Sequence, residues 1–270
     1  LPALFGMLDI YFTDIFIGRK IRLIIIDKND IFWLGGDNGL YAYNKKNGAI
    51  THFNQCITNN QVLPINKVNT IFEEGDTIWI GTTLGRIFYV LKSTMQVHLL
   101  QHNFEQTYFV YDIYKPSDGL FYVSTTDGLF LYDKTDNTYT AYRYQKDNPN
   151  GLKSFGVTTT FQDRQGNIWL GTYQGGINLS IKGKPFYNYN QYSASLTLDV
   201  ENIKTIMQDH ESRIWIGSFN TGVNVVEFKN NKKQLFMPNP NNPDNSLGAG
   251  SVHSIFEDSK NQIWVGTYVS

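Results

Sequence analysis

A five-residue phrase, Ile168-Trp169-Leu170-Gly171-Thr172, keeps returning along this chain. It recurs as Ile78-Trp79-Ile80-Gly81-Thr82, Ile214-Trp215-Ile216-Gly217-Ser218 and Ile263-Trp264-Val265-Gly266-Thr267. A looser copy is Phe32-Trp33-Leu34-Gly35-Gly36, and a degraded one, Phe121-Tyr122-Val123-Ser124-Thr125, carries Tyr at the Trp place. The marker aromatics Trp33, Trp79, Tyr122, Trp169, Trp215 and Trp264 are separated by steps of 46, 43, 47, 46 and 49 residues. A near-constant period in this range is the signature of a repeat architecture.

Each copy has the same anatomy. An acidic residue stands six positions before the marker (Asp27, Glu73, Asp163, Asp209, Asp258), with Pro116 there in the degraded copy. It reads as a turn former whose carboxylate accepts a backbone N–H two residues on. A Gly follows six positions after the marker in four copies (Gly39, Gly85, Gly128, Gly175), where positive φ is expected; the fifth has Thr221 and then Gly222. β-branched and aromatic runs bounded by Gly, Asn and Asp give four short strands per unit. Three consecutive apolar residues in Ile-Trp-Ile imply a strand buried on both faces. The period, the four strands and the doubly buried second strand together predict an all-β fold: a β-propeller of four-stranded antiparallel blades. About five blades are complete and one is partial. They run approximately over 21–54, 66–102, 108–145, 157–190 and 203–237, with 252–270 incomplete; residues 1–20 read as a preceding-blade remnant or a disordered stretch.

With 270 residues and 41% apolar composition, a large core is available, and the repeat merges what length alone would divide. The net charge of -1 includes no basic stripe, so nucleic-acid binding has no electrostatic support. The single Cys56 has no partner for an internal disulfide. The densest apolar stretch, Ile21–Ile26, is far too short for a membrane span and contains Arg22. Both ends read as cut within a longer chain, so membrane attachment is expected only through parts of the parent lying outside it.

Two blocks carry a family likeness. The first is Asn148-Pro-Asn-Gly-Leu152, then Phe161-Gln-Asp-Arg-Gln-Gly-Asn-Ile-Trp-Leu-Gly-Thr172, then Gly175-Gly-Ile177. The second is Asn242-Pro-Asp-Asn-Ser-Leu247 followed by Ile255-Phe-Glu-Asp-Ser-Lys-Asn-Gln-Ile-Trp-Val-Gly-Thr267. Both resemble the two-component regulator propeller repeat of periplasmic sensor regions in hybrid histidine kinases of the Bacteroidetes type. The resemblance implies a non-catalytic, periplasmic sensor whose parent is anchored in the inner membrane. It further implies an oligosaccharide or other small ligand, a homodimer in the full-length protein, and signalling to a cytoplasmic histidine kinase lying outside this chain.

The motifs of enzymes are missing. No GxSxG, Walker loop or CxxC occurs, and His52, His98, His102, His210 and His253 show no metal-ligand spacing, so neither cofactor nor metal is expected. His210-Glu211-Ser212-Arg213 follows Asp209 at a first turn and reads as a solvated turn rather than a phosphoacceptor box. The rival readings are a propeller lyase resembling streptogramin B lyase and a protein-interaction propeller. The lyase repeat continues its Trp phrase into Thr-Glu rather than Gly-Thr, and no His–Glu pair stands in register here. In a four-stranded blade, the inter-blade connectors and the turn between strands two and three share one face. The residues beside the second turn are therefore the candidate ligand contacts: Asp37, Asn38, Arg86, Asp127, Tyr173, Gln174, Phe219, Asn220 and Tyr268.

Overall fold

In the computed structural model, residues 20–101, 109–148, 150–181, 186–190, 197–198, 200 and 202–268 are described. The stretch 1–20, expected to be a preceding-blade remnant or disordered, lies outside them apart from Lys20. The chain forms two compact units, 1–101 and 102–270.

Unit one contains β1 (Ile21–Ile26), β2 (Ile31–Gly36), β3 (Gly39–Asn44) and β4 (Ile50–Phe53), an antiparallel sheet in chain order. A hairpin of β5 (Gln55–Thr58) and β6 (Gln61–Pro64) follows. A second sheet is built from β7 (Val68–Glu74), β8 (Thr77–Thr82), β9 (Ile87–Leu91) and β10 (Gln96–Leu99). Unit two holds three more four-stranded sheets. They are β11 (Val110–Tyr114) to β14 (Thr138–Tyr142) through β12 (Phe121–Thr125) and β13 (Gly128–Asp133); β15 (Val157–Gln162), β16 (Ile168–Thr172), β17 (Ile177–Ser180) and β18 (Phe186–Tyr189); and β19 (Ile203–Gln208), β20 (Ile214–Ser218), β21 (Val223–Glu227) and β22 (Lys232–Phe236). A two-stranded sheet of β23 (Ser251–Glu257) and β24 (Ile263–Tyr268) ends the described chain. These sheets are propeller blades, and the fold is all-β. The first strands of successive blades in unit two pack on one another, β11 on β15, β15 on β19 and β19 on β23.

The Trp phrase is the second strand of every blade, and in the first five its residues are almost wholly buried. The indole of Trp169 packs among Ile203, Ile206 and Val226 of the next blade, and Trp215 among Val252 and Ile255. Trp264 is the exception at 43% exposed, because β24 pairs only with β23 and no further sheet covers it among the described residues.

The acidic residue does more than shape the first turn. In Asp163 one oxygen accepts the backbone N–H groups of Gln165 and Asn167 at 3.0 and 2.8 Å, while the other accepts the Trp169 indole N–H at 2.9 Å. Asp27, Asp209 and Asp258 bond the indoles of Trp33, Trp215 and Trp264 in the same way, at 3.1, 2.7 and 2.9 Å. In the second blade the expectation needs correction. Glu74, five before the marker, reaches the Trp79 indole at 3.3 Å, and Glu73 instead pairs with Lys92. Only two residues join β7 to β8, against five between β15 and β16, so Glu73 lies within the ladder opposite Ile78 and Glu74 stands at the turn. In the degraded blade, Asp118 takes over both duties, accepting the Leu120 N–H at 3.0 Å and the Tyr122 hydroxyl at 2.9 Å.

The Gly of the phrase is a close-approach position. A Cβ on Gly171 would lie 2.6 Å from Ile203, and one on Gly217 would lie 2.7 Å from Val252, each the first-strand residue of the next blade. The closing Thr or Ser caps the second turn. Thr172 Oγ1 donates to the Gly176 carbonyl at 2.7 Å, and Ser218 Oγ to the Gly222 carbonyl at 3.1 Å. Five first strands break register at their second residue, as between Val157 and Thr159, and β23 does so at its third, between Val252 and Ser254. Such a bulge bends the strand and raises its local twist.

Two outcomes follow. Asp163→Ala leaves two backbone donors and a buried indole N–H without their acceptor, and chemical denaturation should show a loss of about 3 kcal/mol. Asp258→Ala, on the uncovered blade, should cost clearly less. Burial opposes ionisation of Asp27 and Asp209, but the hydrogen bonds from Trp33 and from Trp215 and Arg213 outweigh it and hold both carboxyls below their usual range. The Trp264 hydrogen bond lowers Asp258 likewise. A depressed folded-state pKa contributes stability that is complete above the unfolded value of about 3.9 and lost as pH falls through the folded value. Melting temperature should therefore be insensitive to these groups down to about pH 4 and fall below it; Asp209→Asn should flatten that acid limb.

Candidate functional site

The second turns come in two lengths, and this sorts the candidate residues. In the first and third blades two residues join the strands, Asp37-Asn38 and Thr126-Asp127. Their glycines, Gly39 and Gly128, have φ of +105° and +114°. In the second, fourth and fifth blades four residues do so. In the fourth, the positive φ expected at Gly175 falls instead on Gln174 (+64°) and Gly176 (+73°), because the extra residues carry the turn further out. Asn220 and Gly222 repeat that pattern at +73° and +67°. The longer turn lifts its first residue, Tyr173 or Phe219, out over the blade edge.

In unit one, Asp37 is bound by Arg22 at 2.8 Å, and the guanidinium hydrogen bond holds its carboxyl below the usual range. The Asn38 carbonyl lies 2.8 Å from His52 Nε2. Arg86 is half-buried, and its carbonyl accepts the Thr82 hydroxyl at 2.9 Å. In unit two, Asp127 is tied to Arg143. Phe219 lies 6.0 Å beneath the ammonium of Lys204, whose pKa burial lowers. Asn220 accepts a hydrogen bond from the Ser251 hydroxyl at 3.0 Å. Tyr268 is exposed and meets His253 edge-on at 5.8 Å.

Of these nine residues, Tyr173 and Gln174 share one concavity among the described residues. It is a cleft of about 540 Å³ on the second-turn face of unit two, at the junction of the third and fourth blades. Its rings are Tyr111, Tyr144, Phe155 and Tyr173. Phe155 and Tyr173 are 64% and 48% exposed, and Tyr144 leans on Phe155 with centroids 4.8 Å apart. Its polar groups are Thr126, Lys153, Ser154 and Gln174. The Lys153 ammonium donates to the Asn148 carbonyl at 3.1 Å, and Ser154 Oγ donates to the Tyr173 carbonyl. Burial, followed by the neighbouring Tyr173, raises the Tyr111 pKa, so its phenol stays a neutral donor. The strained Gln174 backbone sits at the rim, as functional turns often do.

Sequence reasoning missed Tyr111, Tyr144, Lys153 and Phe155. A signal for three of them lies in the connector that begins at Tyr144, since connectors share the second-turn face.

No described helix is long and apolar enough to cross a membrane. Among the described residues, no group of three or more His, Cys, Asp or Glu is placed to hold a metal. One juxtaposition was not legible in the sequence: the His210 backbone N–H donates to Glu257 Oε2 at 2.9 Å, and its ring Nδ1 contacts the same carboxylate. His210 stands at the β19–β20 turn, the end of the blade away from the aromatic cleft.

Comparison with known proteins fits this architecture. The family model described as two component regulator propeller matches residues 156–174 and 246–269. A search of curated proteins gives no match. Among solved structures, PorZ, an essential surface component of the type-IX secretion system of Porphyromonas gingivalis, superposes with a TM-score of 0.67 at 16% identity, over 92% of this chain and 37% of that one. The extracellular domain of BT4673 from B. thetaiotaomicron, described both as a one component and as a hybrid two component system, matches at 20% identity and a TM-score of 0.49, over 92% of this chain and 39% of that one. The chain thus spans less than two-fifths of these structures, and at such identities the likeness to them is one of fold. Two stretches of the chain, 156–174 and 246–269, thus match the repeat described as two component regulator propeller.

Proposed function

We propose that this chain is part of the extracytoplasmic sensor region of a two-component system and that it recognises an oligosaccharide in the cleft around Tyr173. The observation that carries the reading is the set of four aromatic rings converging with an amide, two hydroxyls and one ammonium. A pyranose has an apolar C–H face that packs on an aromatic ring and a rim of hydroxyls that need donors and acceptors. Tyr173 and Phe155 offer the exposed ring faces; Gln174, Thr126, Ser154 and Lys153 offer the polar partners. Lys153 also suits an acidic sugar. The cleft volume of about 540 Å³ lies in the range of small-ligand sites.

Binding here is read as the signal itself, relayed through a dimer of the parent protein to a histidine kinase beyond this chain. A rigid β scaffold supports such a role, since the ligand would meet groups already in place. The lyase reading has one observation in its favour, the His210–Glu257 pair, but that pair stands at the other end of the blades from the cleft.

A thermal-shift screen against neutral and acidic oligosaccharides tests the proposal, because a ligand that binds only the folded state raises its melting temperature. The expected result is a stabilising saccharide recovered chemically unchanged. Tyr173→Ala and Phe155→Ala should each weaken its binding by tenfold or more, about 1.4 kcal/mol, without lowering the ligand-free melting temperature. Consumption of the sugar would contradict the non-catalytic reading, and unchanged affinity in both variants would contradict the site.

A further inference from the structure

A second, larger cavity of about 840 Å³ lies between the third and fourth blades of unit two, separate from the Tyr173 cleft. Its origin is visible in the repeat. One space further along, between the fourth and fifth blades, the Trp169 indole fills the gap, 4.9 Å from the Phe228 ring with its N–H on Asp163. The corresponding residue of the third blade is Tyr122, a smaller ring anchored through its hydroxyl to Asp118. The Gly that elsewhere lets the next blade close in is here Ser124, whose hydroxyl meets Thr160 Oγ1 at 2.8 Å across the gap. The first strands still pack here, β11 on β15 as β15 on β19, and the cavity opens beside the smaller Tyr122 ring.

The cavity has an apolar side and a polar rim that includes Arg143, Gln145 and Gln162. Leu129, Leu131, Leu152 and Ile168 form its walls, and Tyr142 and Phe186 meet edge-to-face at 6.0 Å along its border. Asp118 supplies a carboxylate at one end. On the fourth-blade side, Asn178 is wholly buried and pairs with Leu170 across the β16–β17 ladder, on the same face as the wall residue Ile168. Neither its amide nitrogen nor its amide oxygen has a hydrogen-bond partner. A buried amide left unpaired is unfavourable, and this one stands one same-face pair along the ladder from the wall residues Ile168 and Ser180.

We propose that this inter-blade cavity is a second ligand site, taking a small aromatic compound with a ring N–H of the indole class. The ring replaces the indole that the third blade lacks, and its N–H donates to Asp118 as the Trp169 N–H donates to Asp163. The site is independent of the saccharide reading, since it shares none of the rings of the Tyr173 cleft.

Fluoroindole titrated with the whole chain and followed by fluorine NMR tests this, because the probe carries the only fluorine. The expected result is saturable broadening or a shift of the probe signal with the wild type. Tyr122→Trp restores the native filler and should weaken binding at least tenfold. Ala141→Phe, which projects a ring into the cavity from the third blade, should do the same. Circular dichroism verifies folding of each, and either variant suffices if the other does not fold. Absence of a saturable effect with the wild type, or unchanged binding in the folded variants, overturns the proposal.

Discussion

A carboxylate that holds its own turn with one oxygen and an indole with the other is the interaction on which each regular blade of this chain depends. The turn residue and the marker are six positions apart, at opposite ends of a tight connection, and the bond between them fixes both. The indole, so anchored, presents its face to the next blade. A neutral turn former could shape the connection but would satisfy the buried N–H less well, since hydrogen bonds to ionised acceptors are stronger. The Gly two residues past the indole completes the device by letting the neighbouring first strand approach within contact of the backbone.

The same logic explains where the molecule departs from regularity. Where Trp, Gly and acid are replaced together, at Tyr122, Ser124 and Pro116, Asp118 rescues the turn but the inter-blade space is not closed. The third and fourth blades remain joined on their inner side, where Asp112 accepts the Thr160 backbone N–H at 2.8 Å. The connector between them supplies Lys153, Ser154 and Phe155 to the candidate saccharide cleft. Both cavities thus border the junction of the third and fourth blades.

The fold was legible because its constraint is local and repeated. The apolar run around each Trp, the acid before it and the turn residues after it lie within a dozen positions and recur on a fixed period. The anchoring of the indole by that acid was not legible, since spacing alone does not say which donor a carboxylate meets. Glu74 stands in for Glu73 because the β7–β8 turn is shorter and leaves Glu73 inside the ladder, which a position count does not register. Of the candidate site, Tyr173 and Gln174 were found from turn chemistry, yet the rings that face them come from a first strand and a connector. Tyr111 is brought there by the packing of β11 on β15, and His210 meets Glu257 by the packing of β19 on β23; both are long-range events without a trace in local pattern. The hairpin β5–β6 was likewise unforeseen, because its strands are short and fall outside the repeat.

The central claim is that the connector and the long second turn of the fourth blade together form the ligand-recognition surface. Amide hydrogen exchange, measured on the chain with and without a stabilising saccharide, tests it most directly. The account predicts added protection concentrated at residues 153–156 and 173–176, with the first turn at 163–167 unchanged. Saturable binding that leaves 153–156 and 173–176 unprotected, or that protects the first-turn end instead, would contradict it.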